Sequence, residues 1–202
     1  AVDTYEQWEE DYNAYNSGVS MSQLSNPNIA CYSGFEYVPI VAAQTGDFST
    51  TKAEYGEDVG QYHYVSHGLS MELQRYKINE DLVLFSGTND VSYITGATSS
   101  LRDLKNSIGK TITDKAVVST SIDHAVASSF GTGSYHTVLE IYAPENLAKG
   151  AFIKSFSKYP YEQEILLDCN QSYKVLDAGV RIKSVTDFSS NTEEVMERYV
   201  KL

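Results

Sequence analysis

The sequence predicts an α+β fold in which an N-terminal helical lobe, residues 1–79, packs on a β-rich core, residues 80–202, within a single domain. Two observations carry this. Aromatic and apolar residues in the first part recur at helical spacing. After residue 80 the texture changes to short β-branched and aromatic runs punctuated by Gly, Asn, Asp and Pro, which suits a mainly antiparallel core of two packed sheets. No repeat or low-complexity linker interrupts the 202 residues, a length sufficient to bury a core.

Residues 3–16, "DTYEQWEEDYNAYN", start at a helix-capping Asp3 and place Tyr5, Trp8, Tyr12 and Tyr15 on one helical face, which is best read as core. "GVSMSQLSNPN" is a punctuated loop or short helix, and "FEYVPIVAAQTG" a helix broken or started near Pro39. Residues 59–77 predict one or two helices interrupted at Gly68. The strands expected after residue 80 are "DLVLF", "AVVSTSI", "HTVLEIYA", "GAFIKSF", "EQEILLD", "SYKVLDA" and "RIKSVTDF". Helices are expected at "SSLRDLKNSI" and "DHAVASSF", and "GTGS", residues 131–134, reads as a turn.

Charge excludes some partners. A net charge of -12 argues against nucleic acid or an anionic membrane surface, both of which reward Lys and Arg. Residues 1–51 hold seven carboxylates and no Lys or Arg, so this part alone carries about -7, a surface for solubility or for a basic protein partner. No apolar run approaches the ~18 residues of a membrane span. The opening "AVDTYEQWEED" has neither a basic n-region nor an apolar h-region, and an Ala start suits either signal-peptide removal or trimming. Cys31 and Cys169 are the two cysteines, and the sequence leaves their pairing open.

Motifs narrow the chemistry. His63 and His67 stand four apart on a helix, but without a third ligand nearby no metal site is expected; His124 and His136 are scattered. No Gly-rich phosphate loop is present. In "VVSTSID" an extended backbone turns Ser119 and Ser121 one way and Thr120 the other, and Asp123 can cap the following helix. In "KYPYEQEILLD" the same geometry puts Glu162 and Glu164 on one face. Two carboxylates held so at neutral pH repel one another unless a cation or a shared proton visits. Each motif taken alone has an ordinary reading, a capped strand end and a solvated strand start. A paired-carboxylate glycosidase is a further reading of the two glutamates, although such pairs usually come from separate strands.

Taken together and in this order, the motifs resemble the mono-ADP-ribosyltransferase toxins and ecto-enzymes of the Arg–Ser–Glu type. "AVVSTSIDHAVASSF" is similar to the family's Ser-Thr-Ser strand, and "GAFIKSFSKYPYEQEILLDCNQSYKVL" to its Glu-x-Glu strand behind an aromatic-bearing loop. The resemblance spans most of residues 20–202 and is specific over 116–176. It implies an ADP-ribosyltransferase-like fold and transfer of ADP-ribose from NAD, a substrate, to an arginine of a host protein, without a metal. Glu164 would be the catalytic glutamate that hydrogen-bonds the nicotinamide ribose and faces the cation formed there. Ser119 would orient Glu164, and Glu162 would meet the incoming guanidinium. Tyr159, with Tyr161 beside it, would contact the target protein.

The same resemblance implies that Ser86, Gly87, Thr120 and Ser121 line the NAD side. It also exposes a departure: Ser86 stands where the family's NAD-clamping Arg is expected. Ser supplies one hydrogen bond and no charge, and losing a charge-assisted contact of about 1.5–3 kcal/mol would weaken NAD binding roughly ten- to a hundredfold. Arg75 and Arg102 are substitutes, each with the ordinary reading of a surface helix residue. The alternative is a catalytically weak or inactive binding module of this fold. The expected setting is a secreted or injected toxin, with actin, a small GTPase or an intermediate-filament protein as suitable targets and a separate delivery component.

Overall fold

The computed structural model describes residues 2–34, 36–47, 60–96, 98–129, 136–186 and 189–202. It is a mixed α+β structure with a seven-stranded and a two-stranded sheet. The chain divides into two compact units: residues 1–81, 115–118 and 144–170 form the first, and residues 82–114, 119–143 and 171–202 the second. The expected turn at 131–134 lies outside the described residues.

The first unit carries helices α1 (Val2–Tyr15), α2 (Pro27–Tyr32), α3 (Tyr37–Thr45) and α4 (Gln61–Leu73). Its antiparallel hairpin joins β5 (Gly150–Phe152) to β6 (Glu164–Leu167). Helix α1 begins ahead of Asp3 rather than at it. Its aromatic stripe is core for Trp8 and Tyr12, which meet the Phe152 ring edge-on at 5.0 and 5.6 Å. The Tyr12 hydroxyl accepts the Phe152 N–H at 2.9 Å, so this phenol closes a backbone group as well as filling space. Tyr15, at the end of the stripe, is half exposed and donates to Asn146 Oδ1.

Pro27 opens α2 at a position whose N–H would have no intrahelical partner. The buried Glu72 carboxylate of α4 accepts the Asn28 N–H at 3.0 and 3.2 Å, satisfying donors at the α2 N-terminus from another helix. Pro39 lies in the first turn of α3, where a ring without an N–H is tolerated. The expected break at Gly68 does not occur, because α4 runs through it. A Cβ there would collide with the Asn28 side-chain amide, so the glycine serves the close approach of α2 rather than a helix end. The core comprises Ile29, Ile40, Leu69, Leu73, Phe156 and Leu166 with their neighbours; Cys31 and Cys169, both free thiols, pack at its margin.

The second unit is built on β1 (Leu82–Thr88), which pairs with β4 (Thr137–Ala143) from Leu82↔Ala143 to Thr88↔Thr137. Strand β4 runs parallel to β9 (Thr192–Lys201), and β9 forms a ten-residue antiparallel ladder with β8 (Asp177–Thr186). Strand β2 (Thr111–Asp114) pairs with β7 (Gln171–Lys174) in the small sheet. Short helices α5 (Ser92–Thr95), α6 (Leu101–Asn106) and α7 (His124–Ser129) connect these strands. Strand β3 (Val118–Ser121) contributes its last three residues to this unit. Two strands were not expected from the sequence. "TITD" is a four-residue strand without a conspicuous apolar run, and "TEEVMERYVK" carries glutamates at helix-like density. Long-range pairing with β7, and with β4 and β8, overrides those local signals.

Candidate functional site

The first unit presents the carboxylates. Strand β6 starts at Glu164, whose carbonyl accepts the Ile153 N–H at 3.0 Å and whose residue is 7% exposed. Ile165, Leu166 and Leu167 behind it are all buried, so the strand is fixed by core on either side. Glu162 is not part of this strand. It ends a short 3-10 turn, Pro160–Glu162, and Gln163 between the two glutamates is left-handed at φ 49° and ψ 46°. The expectation that extended geometry puts both carboxylates on one face therefore fails; Pro160 starts a turn that continues up to the first strand residue. Burial pushes the Glu162 carboxyl above the ordinary carboxylate range.

The loop before Glu162 is held from below. Ser33 Oγ accepts the Lys158 N–H at 3.1 Å, and Ser157 Oγ accepts the Tyr159 N–H at 3.0 Å. The Lys158 side chain lies over Gly34, where a Cβ would come within 2.6 Å of Nζ. Tyr159 and Tyr161 meet edge-on at 6.1 Å, and Tyr161 is 71% exposed. That pairing leaves an aromatic surface at the loop tip.

The second unit presents the hydroxyls. Ser86 lies in the middle of β1 opposite Leu139, buried at 9% exposure, and Gly87 lies opposite Val138. Phe85 pairs with Ser121 of β3. The predicted alternation in Ser-Thr-Ser is not matched by burial: Ser119 is exposed, whereas Thr120 and Ser121 are both buried. Ser121 Oγ accepts the Asp123 N–H at 3.1 Å. Asp123 in turn accepts the Ala125 N–H at 2.9 Å and caps α7 as the sequence predicts. Of the two arginines named as substitutes for the missing clamp, Arg75 donates to the Ser25 carbonyl in the first unit and Arg102 lies exposed on α6.

Sequence reasoning missed a charged network in the second unit. Glu197 of β9 is bridged by His124 Nε2 at 2.7 Å and by Arg181 Nε at 2.9 Å. Arg181 Nη1 reaches Glu140 at 3.3 Å, and Lys201 stands 3.6 Å from the same carboxylate. Burial raises the Glu197 carboxyl, but His124 and Arg181 outweigh it and hold the group below its usual range. No linear motif announces these residues; the β8–β9 register brings Arg181 opposite Glu197.

His63 and His67 both lie on α4, and among the described residues no group of three His, Cys, Asp or Glu side chains is placed to hold a metal. Nor is any described helix long and apolar enough to cross a membrane.

Residues 6–200 match the ADP-ribosyltransferase exoenzyme family, and the chain belongs to it. No curated protein sequence matches the chain. Among solved structures it is similar to Plx2a, an ADP-ribosyltransferase toxin from Paenibacillus larvae, with 14% identity and a TM-score of 0.63 over 98% of this chain and 94% of that one. It is similar to C3stau2 from S. aureus, solved with NAD, with 12% identity and a TM-score of 0.61 over 99% and 95% of the two chains. It is also similar to BECa, an ADP-ribosylating toxin of a binary enterotoxin of C. perfringens solved with NADH, with 18% identity and a TM-score of 0.61. There the match covers 99% of this chain and 48% of BECa, so the chain spans about half of that relative.

Proposed function

We propose that the chain is an NAD-dependent mono-ADP-ribosyltransferase that cleaves NAD at the nicotinamide–ribose bond and transfers ADP-ribose to an arginine of a host protein. The observation that carries this reading is Glu164, buried at the first position of β6 and following directly on the Glu162 turn, in a chain of this family. As nicotinamide leaves, positive charge develops on the ribose, and a fixed carboxylate stabilises it without reorganising. Glu164 has that role, with Ser119 orienting it. Glu162 receives the guanidinium: its carboxylate pairs with the cation and accepts a proton as the nitrogen attacks. Tyr159 and Tyr161 contact the target protein, and Ser86, Gly87, Thr120 and Ser121 line the NAD side. A delivery component fits the likeness to BECa, which belongs to a binary toxin.

The test is transfer of labelled ADP-ribose from NAD to a small guanidino acceptor. Wild type should transfer label, and Glu164→Gln should lose about 10²–10³-fold in rate. Equal label from the two proteins would sink the proposal.

Ser86 favours a second reading, a binding module descended from the enzyme. A neutral, buried hydroxyl stands where a cation is expected. Calorimetry with NAD separates the readings: binding only at millimolar NAD, unchanged in Ser86→Arg, supports the module.

A further inference from the structure

We propose that His124 is a positioning residue that fixes the Thr120–Ser121 end of β3 by clamping the start of α7 between β1 and β9; its effect on NAD binding rests on the transferase reading above. Helix α7 has six residues and is too short to hold itself in place. Its location must come from contacts, and His124, its first residue, makes them on two sides. The ring meets Phe85 of β1 edge-on at 5.3 Å, and its Nε2 lies 2.7 Å from Glu197 of β9.

Both contacts bear on the residues assigned to NAD. Phe85 directly precedes Ser86 and pairs with Ser121. Between Ser121 and His124 stand only Ile122 and Asp123, and Asp123 is bonded back to Ser121 and forward to Ala125. A shift of His124 is therefore transmitted to Ser121 with little slack. The far side of the clamp is rigid as well. Arg181 holds the second oxygen of Glu197 and reaches Glu140, which pairs with Phe85 across β1 and β4. Ser128 Oγ lies 3.3 Å from His124 Nδ1, and the Tyr199 ring lies 4.6 Å beneath the Arg181 guanidinium. The network thus closes a ring through β1, β4, β8, β9 and α7.

Energetics support a geometric role. Buried ion pairs add little stability relative to apolar residues of the same volume, because desolvation offsets attraction. What a closed, hydrogen-bonded network of this kind does supply is a single arrangement of its members.

The experiment uses the full chain with NAD as probe and compares wild type, His124→Ala, His124→Gln and Glu197→Ala. In His124→Ala, KM and Kd for NAD should rise about tenfold with kcat within about threefold, as expected when binding groups are displaced but reacting groups remain. Amide hydrogen exchange over residues 119–129 should quicken about tenfold. His124→Gln, whose amide can still donate to Glu197, should recover both readouts to within about threefold, and Glu197→Ala, which leaves His124 no acceptor there, should reproduce the His124→Ala phenotype. A lower melting temperature in His124→Ala with unchanged KM and Kd would reduce the network to scaffold and overturn the inference. If wild type binds no NAD, the transferase reading fails, and exchange alone decides the clamp: unchanged exchange over 119–129 removes it.

Discussion

Glu162 and Glu164 lie two residues apart in sequence yet occupy different backbone states, one in a 3-10 turn and one in a strand. This separates their environments, and burial leaves Glu162 harder to ionise than an ordinary carboxyl. If Glu162 accepts a proton from the guanidinium, it must be ionised first. Transfer to the guanidino acceptor should therefore fall as pH drops through its raised pKa, with the acid limb of kcat/KM above the ordinary carboxylate range near 4.3. Glu162→Gln should abolish that limb while Glu164 keeps NAD cleavage running. An acid limb that persists in Glu162→Gln assigns it to another group. Glu72 shows the same physics with a structural outcome. Burial raises its carboxyl against the pull of the Asn28 amide, so its contribution to stability is full below the unfolded pKa and lost as pH rises through the folded one.

At the scale of elements, the β5–β6 hairpin is the support on which Glu164 stands. Gly150 lies opposite Leu167, and a Cβ there would come within 2.7 Å of the Leu166 carbonyl oxygen. The obstacle is backbone, which cannot rotate aside. Gly150→Ala should cost about 1–3 kcal/mol through overpacking. For a chain of this size that lowers Tm by roughly 2–12 °C, measurable by circular dichroism. Unchanged melting would show that the hairpin can open without loss. Helix α4 teaches a related lesson: Gly68 signalled a break in sequence, yet the glycine is where another helix comes close.

At the scale of the whole molecule, the net charge of -12 and the absence of Lys and Arg in residues 1–51 mean that NAD, itself anionic and the substrate in the proposed reading, would be held by few specific groups. Binding should nonetheless register as stability. At a hundred times Kd, NAD adds about 2.7 kcal/mol, which raises Tm by roughly 5–11 °C. A flat melting profile at millimolar NAD would favour the binding module over the transferase.

The sequence alone determined the α+β class, the helical first part, most of the strands and the two motifs on which the resemblance to the family rests. These rest on local properties: side-chain periodicity, turn punctuation and the order of a few chemical groups along the chain. Tertiary structure decided what depends on residues far apart. It made a strand of "TEEVMERYVK" by pairing it with β4 and β8, and it buried Thr120 and Ser121 together where simple alternation would part them. It broke the expected Glu162–Glu164 face with a turn and drew Arg181, Glu197, Glu140 and His124 into one network. The physical reason is the same in each case. Backbone pairing and desolvation act between residues that linear spacing does not relate, and near the motifs they outweigh local preference.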